Sequence, residues 1–194
     1  KSTDLGNTWN FIPASISDSF DCKDIDFINE NTGWIVAQRL TGVGYPFNIT
    51  YYRTKIFRTT NSGDSWESLY DSTATNSNGY FYNGIRFFDI QNGWAFTSSK
   101  IMRTTNGGAN WTNLQSNIGF NINKLVMMNS QTGWIGGTSI VNGYGWGSMY
   151  KTTNGGLNWL LHYNEYGKIV RTLHVLDSNR LWLAGDLSSI YYSS

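Results

Sequence analysis

Apolar and polar positions alternate with a period of two in short stretches along this chain, the mark of half-buried strands rather than helices. Ile25-Asp26-Phe27, Ile85-Arg86-Phe87, Leu125-Val126-Met127 and Leu173-His174-Val175 each place large side chains at i and i+2. Seven to nine residues later, Gly33-Trp34, Gly93-Trp94 and Gly133-Trp134 open a second apolar stretch, and Leu181-Trp182 holds the fourth equivalent place. A third signal interleaves with these. Ser2–Trp9, Thr59–Trp66, Thr104–Trp111 and Thr152–Trp159 share the wording S/T-x-D/N-x-G-x-x-W, their tryptophans spaced by 57, 45 and 48 residues. Each unit then predicts four strands: the i, i+2 strand, the Gly-Trp strand, a strand ending in Thr-Thr, and one beginning after the second Trp. Asn/Gly-rich turns join them, and helical periodicity is nearly absent.

Units of 40 to 50 residues with four short antiparallel strands indicate an all-β fold, a β-propeller of four four-stranded blades. One domain is expected over residues 1–194, with units at about 21–67, 80–112, 121–160, and 170–194 joined by 1–12. Ile190–Ser194 aligns with Ile101–Thr105, and Lys1-Ser2-Thr3 occupies the columns of Tyr192-Ser193-Ser194. The first residues are therefore expected to supply the outer strand missing from the last unit. Two arrangements satisfy this: a ring closed by an N-terminal outer strand, which removes exposed edges, or a four-blade segment of a larger propeller. A start at Lys1 without Met is expected of a processed product or a piece of a longer chain.

The repeated turn has a folding explanation in every part. Asp4, Asn61, Asn106 and Asn154 can accept backbone N–H bonds, and Gly6, Gly63, Gly108 and Gly156 supply φ > 0. Trp9, Trp66, Trp111 and Trp159 offer large faces to pack between strands. One side-chain oxygen per turn is far from the 6–8 oxygens that Ca²⁺ takes, so no metal and no other cofactor is expected.

Composition narrows the function classes. The 194 residues carry 14 Lys+Arg against 13 Asp+Glu, a balance that argues against a nucleic-acid footprint. Aromatic residues make up 16% and charged residues 14%, so the chain can bury enough surface to order itself. Cys22 is the single cysteine and cannot form an internal disulfide. No apolar run approaches the roughly 20 residues of a membrane helix, so direct membrane insertion is not expected. Abundant Asn, Ser, Thr and Gly with scarce Lys and Glu suit an extracytoplasmic setting, whether secreted, periplasmic or cell-surface. Asn48-Ile-Thr50 and Asn110-Trp-Thr112 match the glycosylation sequon, the second as a by-product of the repeat.

The four S/T-x-D/N-x-G-x-x-W turns resemble the Asp-box, or bacterial-neuraminidase repeat, superfamily. The added Gly-Trp strand and the wording Thr-Thr-Asn-Gly-Gly-x-x-Trp at 104–111 and 152–159 are most similar to photosystem II stability/assembly factor-like propellers. Three of the four boxes carry Asn in place of Asp. The resemblance spans essentially the whole chain and implies a propeller fold. It also implies three function classes met on such scaffolds: binding modules, glycoside hydrolases of sialidase or endoglucanase type, and assembly factors for membrane complexes.

Candidate chemistry gathers on the blade face opposite the repeated turns. Two insertions there, within 39–54 and at 140–147, bring Tyr45, Phe47, Tyr51, Tyr52, Tyr144 and Trp146. Inter-blade connections add Tyr80, Tyr82, Tyr163 and Tyr166. Aromatic rings with polar tips suit sugar stacking or a protein grip. A second candidate is the channel column, where Asp26, Arg86, Lys124, Arg171 and His174 form a rim of mixed charge. Catalysis by a glycosidase would need two carboxyls at about 5–5.5 Å or 6.5–9.5 Å. Asp18, Asp21, Asp71 and Glu165 lie in connections on the elaborated face with no spacing that marks a pair, and no residue is singled out as catalytic. The expectation is a non-catalytic binding module for a glycan or protein, with a glycoside hydrolase and a membrane-complex assembly factor as the alternatives. An assembly factor would work through Arg86, Lys124 and Arg171.

Overall fold

In the computed structural model, residues 1–11, 20–44, 49–73, 82–114, 119–186 and 190–193 are described. Their strands form four antiparallel sheets, each a meander. The first contains β1 (Asp21–Phe27), β2 (Gly33–Gly44), β3 (Ile49–Thr59) and β4 (Glu67–Thr73). The second contains β5 (Tyr82–Phe87), β6 (Gly93–Thr97), β7 (Ile101–Thr104) and β8 (Thr112–Leu114). The third contains β9 (Phe120–Met127), β10 (Gly133–Val141), β11 (Tyr144–Thr152) and β12 (Leu160–Tyr166). The fourth has β13 (Val170–Val175), β14 (Leu181–Gly185) and β15 (Ile190–Ser193). These are the blades of a β-propeller. Innermost strands β1, β5, β9 and β13 abut in chain order, so each blade stands beside the next.

The glycine before each tryptophan is explained by its cross-strand partner. Gly33 pairs with Phe27, Gly93 with Phe87 and Gly133 with Met127, and a Cβ at any of the three would overlap the partner's side chain. The large side chain lies flat across the glycine and becomes a platform. On that platform the previous blade lays its own tryptophan. Trp34 stacks on Phe87 with ring centroids 3.6 Å apart and planes 4° from parallel, and its Nε1 donates to the Gly107 carbonyl at 2.9 Å. Trp94 repeats the bond one blade on, donating to the Gly155 carbonyl at 3.0 Å. Trp34, Trp94 and Trp134 are at most 1% exposed. The core is therefore a series of seams between blades, each built from one face of one sheet and the opposite face of the next.

The repeated turn is a closed local network. Thr104 Oγ1 donates to Asn106 Oδ1 at 3.0 Å and accepts Gly108 N–H at 2.9 Å, while Asn106 Oδ1 accepts Asn110 N–H at 2.9 Å. Thr59, Thr152 and Ser2 do the same in their turns. Gly6, Gly63, Gly108 and Gly156 lie at φ 88°, 91°, 99° and 94°, where a Cβ is costly. In the one turn with an acid, Thr8 hydrogen bonds hold the Asp4 carboxyl down at about 2. Thr104 is 1% exposed, so Thr104→Val leaves the Gly108 N–H buried without an acceptor. Such a loss costs about 1–3 kcal/mol, and chemical denaturation should show the midpoint fall with an unchanged slope.

The N-terminal segment departs from the closed-ring expectation. Residues 1–11 form no strand and pair with nothing in the fourth sheet, whose outer described strand is β15. They fold into a loop closed by Lys1 N donating to Asn10 O at 2.9 Å and Asn10 N donating to Lys1 O at 2.8 Å. A fourth strand gains stability by burying one face, and here Trp9 and Phe11 stay 76% and 90% exposed. Lys1, Asn10 and Phe11 instead line a cavity on the first blade.

Candidate functional site

The face opposite the repeated turns carries one exposed aromatic group. β10 and β11 extend beyond their neighbours and meet in a two-residue Asn142-Gly143 turn, at φ 52° and 80°. Both φ values are positive, the geometry that matches strand twist in a tight hairpin. Pairing continues to Val141↔Tyr144, which lifts the tip clear of the sheet. On it, Tyr144 and Tyr166 meet edge-on at 5.7 Å, and Trp146 and Tyr166 at 5.5 Å. Tyr144 and Tyr166 are 58% and 56% exposed, and Ile140 and Val141 stand exposed beside them. Rings locked by one another lose little freedom when a partner covers them.

Other aromatic residues expected on this face go elsewhere. Tyr82 turns into the seam between the first two blades, its hydroxyl 3.2 Å from Met102 Sδ, and burial pushes its phenol up. Tyr163 lies half-buried in the seam between the third and fourth blades, 5.3 Å from the Tyr191 ring, and donates to Glu165 Oε2 at 2.7 Å. Burial raises the Tyr163 hydroxyl, and the tyrosine hydrogen bonds hold Glu165 below the usual carboxylate range. Tyr52 is half-buried on β3 opposite Leu40. Tyr45, Phe47 and Tyr80, together with the side chain of Tyr51, lie outside the described residues.

The channel column is occupied by bonds between blades. Asp24 Oδ2 accepts Ile85 N–H at 3.0 Å and pairs with Arg86 at 2.6 Å, and Asp26 Oδ2 accepts Phe87 N–H at 2.6 Å. Asn83 donates to the Ile122 carbonyl at 2.9 Å, and Asn123 to the Val170 carbonyl at 2.7 Å. Burial raises the Asp26 carboxyl, and burial together with Arg86 lowers Lys124. Arg171 forks onto Asp186 at 2.7 and 3.0 Å away from this group, and His174 is exposed, 6.1 Å from the Trp182 ring. The structure thus brings together Asp26, Arg86 and Lys124 but not Arg171 or His174.

Carboxylates on the elaborated face are engaged as well. Asp71 is gripped by Arg53 and reached by Lys55 at 3.5 Å, Glu165 is held by Tyr163, and Asp18 lies outside the described residues. A general acid needs a raised carboxyl, whereas Asp71 and Glu165 are both lowered by their partners. Among the described residues no three His, Cys, Asp or Glu side chains converge as a metal would require.

A cavity of about 530 Å³ opens on the first blade, walled by Ile25, Phe27, Ile35 and Trp66, with Lys1 and Glu30 among the residues around it. From sequence these apolar residues read as ordinary core. The signal that could have found it is that the first unit has no unit before it to cover that face.

No protein-family profile matches this chain, and no curated protein sequence does. Two solved structures are similar in fold. One is the GH74 enzyme of Niastella koreensis, with a TM-score of 0.60 and 19% identity over 88% of this chain and 28% of the enzyme's. The other is YCF48 bound to a D1 peptide, with a TM-score of 0.54 and 17% identity over 94% of this chain and 69% of that one. The chain spans little more than a quarter of the length of the GH74 enzyme. At these identities the likeness concerns the propeller fold alone.

Proposed function

We propose that this chain is a non-catalytic, extracytoplasmic β-propeller binding module that grips a glycan or protein chain on the Tyr144–Trp146–Tyr166 group. The observation that carries the reading is three rings meeting at 5.5–5.7 Å on a raised hairpin, two of them more than half exposed. A surface aromatic cluster that supports no core has little folding use, while stacked rings are the usual anchors of a binding surface. Low carboxyls at Asp71 and Glu165 speak for binding over hydrolysis. The sequence resemblance to assembly-factor propellers and the peptide held by YCF48 favour the protein arm; the fold of the GH74 enzyme favours the glycan arm. For the assembly-factor reading, Arg86 and Arg171 offer less than the rings do, because each is already paired with an aspartate of this chain.

The test screens the wild-type chain against arrayed glycans and against a peptide library, then repeats each hit with Tyr144→Ala/Tyr166→Ala. Loss of two exposed anchor rings should weaken a genuine ligand by roughly 30-fold or more, about 2 kcal/mol. Thermal stability should move little. A hit that the double variant binds as well as wild type would sink this reading, and release of cleaved glycan would make the module an enzyme.

A further inference from the structure

The seams between blades follow one design. One sheet supplies a tryptophan plug, Trp34, Trp94 or Trp134; the next sheet supplies a socket of apolar residues on its first two strands and a carbonyl in its repeated turn. Three seams use three plugs and three sockets, which leaves one of each on the four blades.

The unmatched socket is the first blade. Phe27 corresponds to Phe87, and Ile25 to Ile85, by their pairing with Trp34 and Trp94 strands. In the second blade those positions are 8% and 0% exposed; in the first they are 40% and 52% exposed. Their face opens into the 530 Å³ cavity, and Ser62, which stands in the turn where Gly107 stands, lines it. Ser62 shares the left-handed conformation of Gly107 at φ 62° against 72°, and its N–H bonds Asn31 O as that of Gly107 bonds Gln91 O. The acceptor end of the seam is built there too. The N-terminal loop borders the cavity without filling it, since Phe11 remains 90% exposed.

The unmatched plug is on the fourth blade. Trp182 pairs between His174 and Tyr192 as Trp34 pairs between Asp26 and Arg58. It leans on Tyr192 at 5.0 Å, and on the same face Ile190 and Tyr192 are 75% and 53% exposed. The opposite face of that sheet, with Leu173 and Leu183, is buried against the third blade.

We propose that the first-blade socket receives the fourth blade of a second copy of this chain, Trp182 lying on Phe27 as Trp34 lies on Phe87. The contact is heterologous, so it closes only if the rotation per seam returns to its start. Two copies related by a two-fold axis make both seams at once and give eight blades, within the four to eight that propellers form. Both halves of the seam are on one chain, which is why the occupant is a copy and not a foreign partner.

Native mass spectrometry and light scattering on the 194-residue chain at micromolar concentration should give twice the chain mass, with a melting temperature that rises with concentration. Ile190→Asp spoils the plug and Ile25→Asp the socket, each at an exposed position whose change leaves the monomer folded. Either one alone damages both seams of a symmetric dimer and should raise its dissociation constant more than about 100-fold. Mixing the two variants restores one intact seam, Ile25→Asp supplying the plug and Ile190→Asp the socket, so a mixed dimer should reappear. A wild-type monomer, including one closed on itself, overturns the proposal. A dimer indifferent to both substitutions, or a mixture that stays monomeric, overturns it as well.

Discussion

Trp94→Ala is expected to cost about 3–5 kcal/mol, the range for emptying a buried aromatic site. Trp94 is 0% exposed and joins the second blade to the third, packed with Leu125 and Ile135 of the neighbouring sheet. Its Nε1 holds the Gly155 carbonyl at 3.0 Å, so truncation also orphans an acceptor in the third blade's turn. Arg103 lies over the same ring at 5.4 Å while reaching the Ser130 carbonyl at 3.1 Å, and it loses one wall of its passage. Every one of these contacts crosses between sheets, and none is made within the blade that owns the residue. The melting temperature should fall by roughly 10 °C, with the third and fourth blades becoming protease-sensitive first. Trp94→Phe separates the parts: it keeps a ring and loses the N–H, and should cost about a third as much. Equal losses for the two variants would mean that the hydrogen bond, not the packed indole, holds the seam.

Gly147→Ala should be comparably damaging although it adds a single methyl. Gly147 sits on β11 facing the chain that enters β13, and a Cβ there would overlap the Lys168 carbonyl, with Val170 N only 3.3 Å away. The obstacle is backbone and cannot swing aside. It is also pinned on both sides: Gly167 N–H donates to Gly145 O at 2.9 Å, and Asp186 N–H donates to Ile169 O at 3.1 Å. Relief therefore requires the fourth blade to back away from the third, which opens the contacts of Val170 and Leu173 with Met149 and Trp134. Overpacking usually costs about 1–3 kcal/mol where side chains can give, and a rigid obstacle places Gly147→Ala at about 3 kcal/mol or above. Gly145→Ala, two residues earlier on the same strand, would meet nothing nearer than Thr138 Cγ2 at 3.9 Å. It should be nearly neutral by thermal denaturation. A harmless Gly147→Ala would show that the two blades do not approach this closely.

Much of the site's geography was legible because it depends on neighbours in sequence. The hairpin that carries Tyr144 and Trp146 stands out as an insertion, and its Asn142-Gly143 turn follows from the conformations those two residues accept. What alternation could not do was sort one tyrosine from another. Tyr163 and Tyr166 belong to the same short strand, yet one enters a seam and the other joins the exposed group. Three residues apart on a pleated strand, they point to opposite faces, and only the presence of the fourth blade makes one of those faces an interior. Asp26 and Arg86 read alike as channel charges for the same reason. Their actual work, accepting the Phe87 N–H and pairing with Asp24, depends on a strand 60 residues away in the chain.

By itself the sequence determined the four units, the turn network and the side of each strand that is apolar. All three rest on interactions spanning a few residues or on the two-residue period of a strand. The tertiary structure alone decided which apolar faces are covered. Phe27 and Phe87 carry the same signal, follow the same pattern and pair with equivalent glycines. One is the floor of a buried seam and the other the floor of an open cavity. Periodicity fixes the direction in which a side chain points; burial depends on whether another sheet stands opposite, and that is a property of the arrangement of blades.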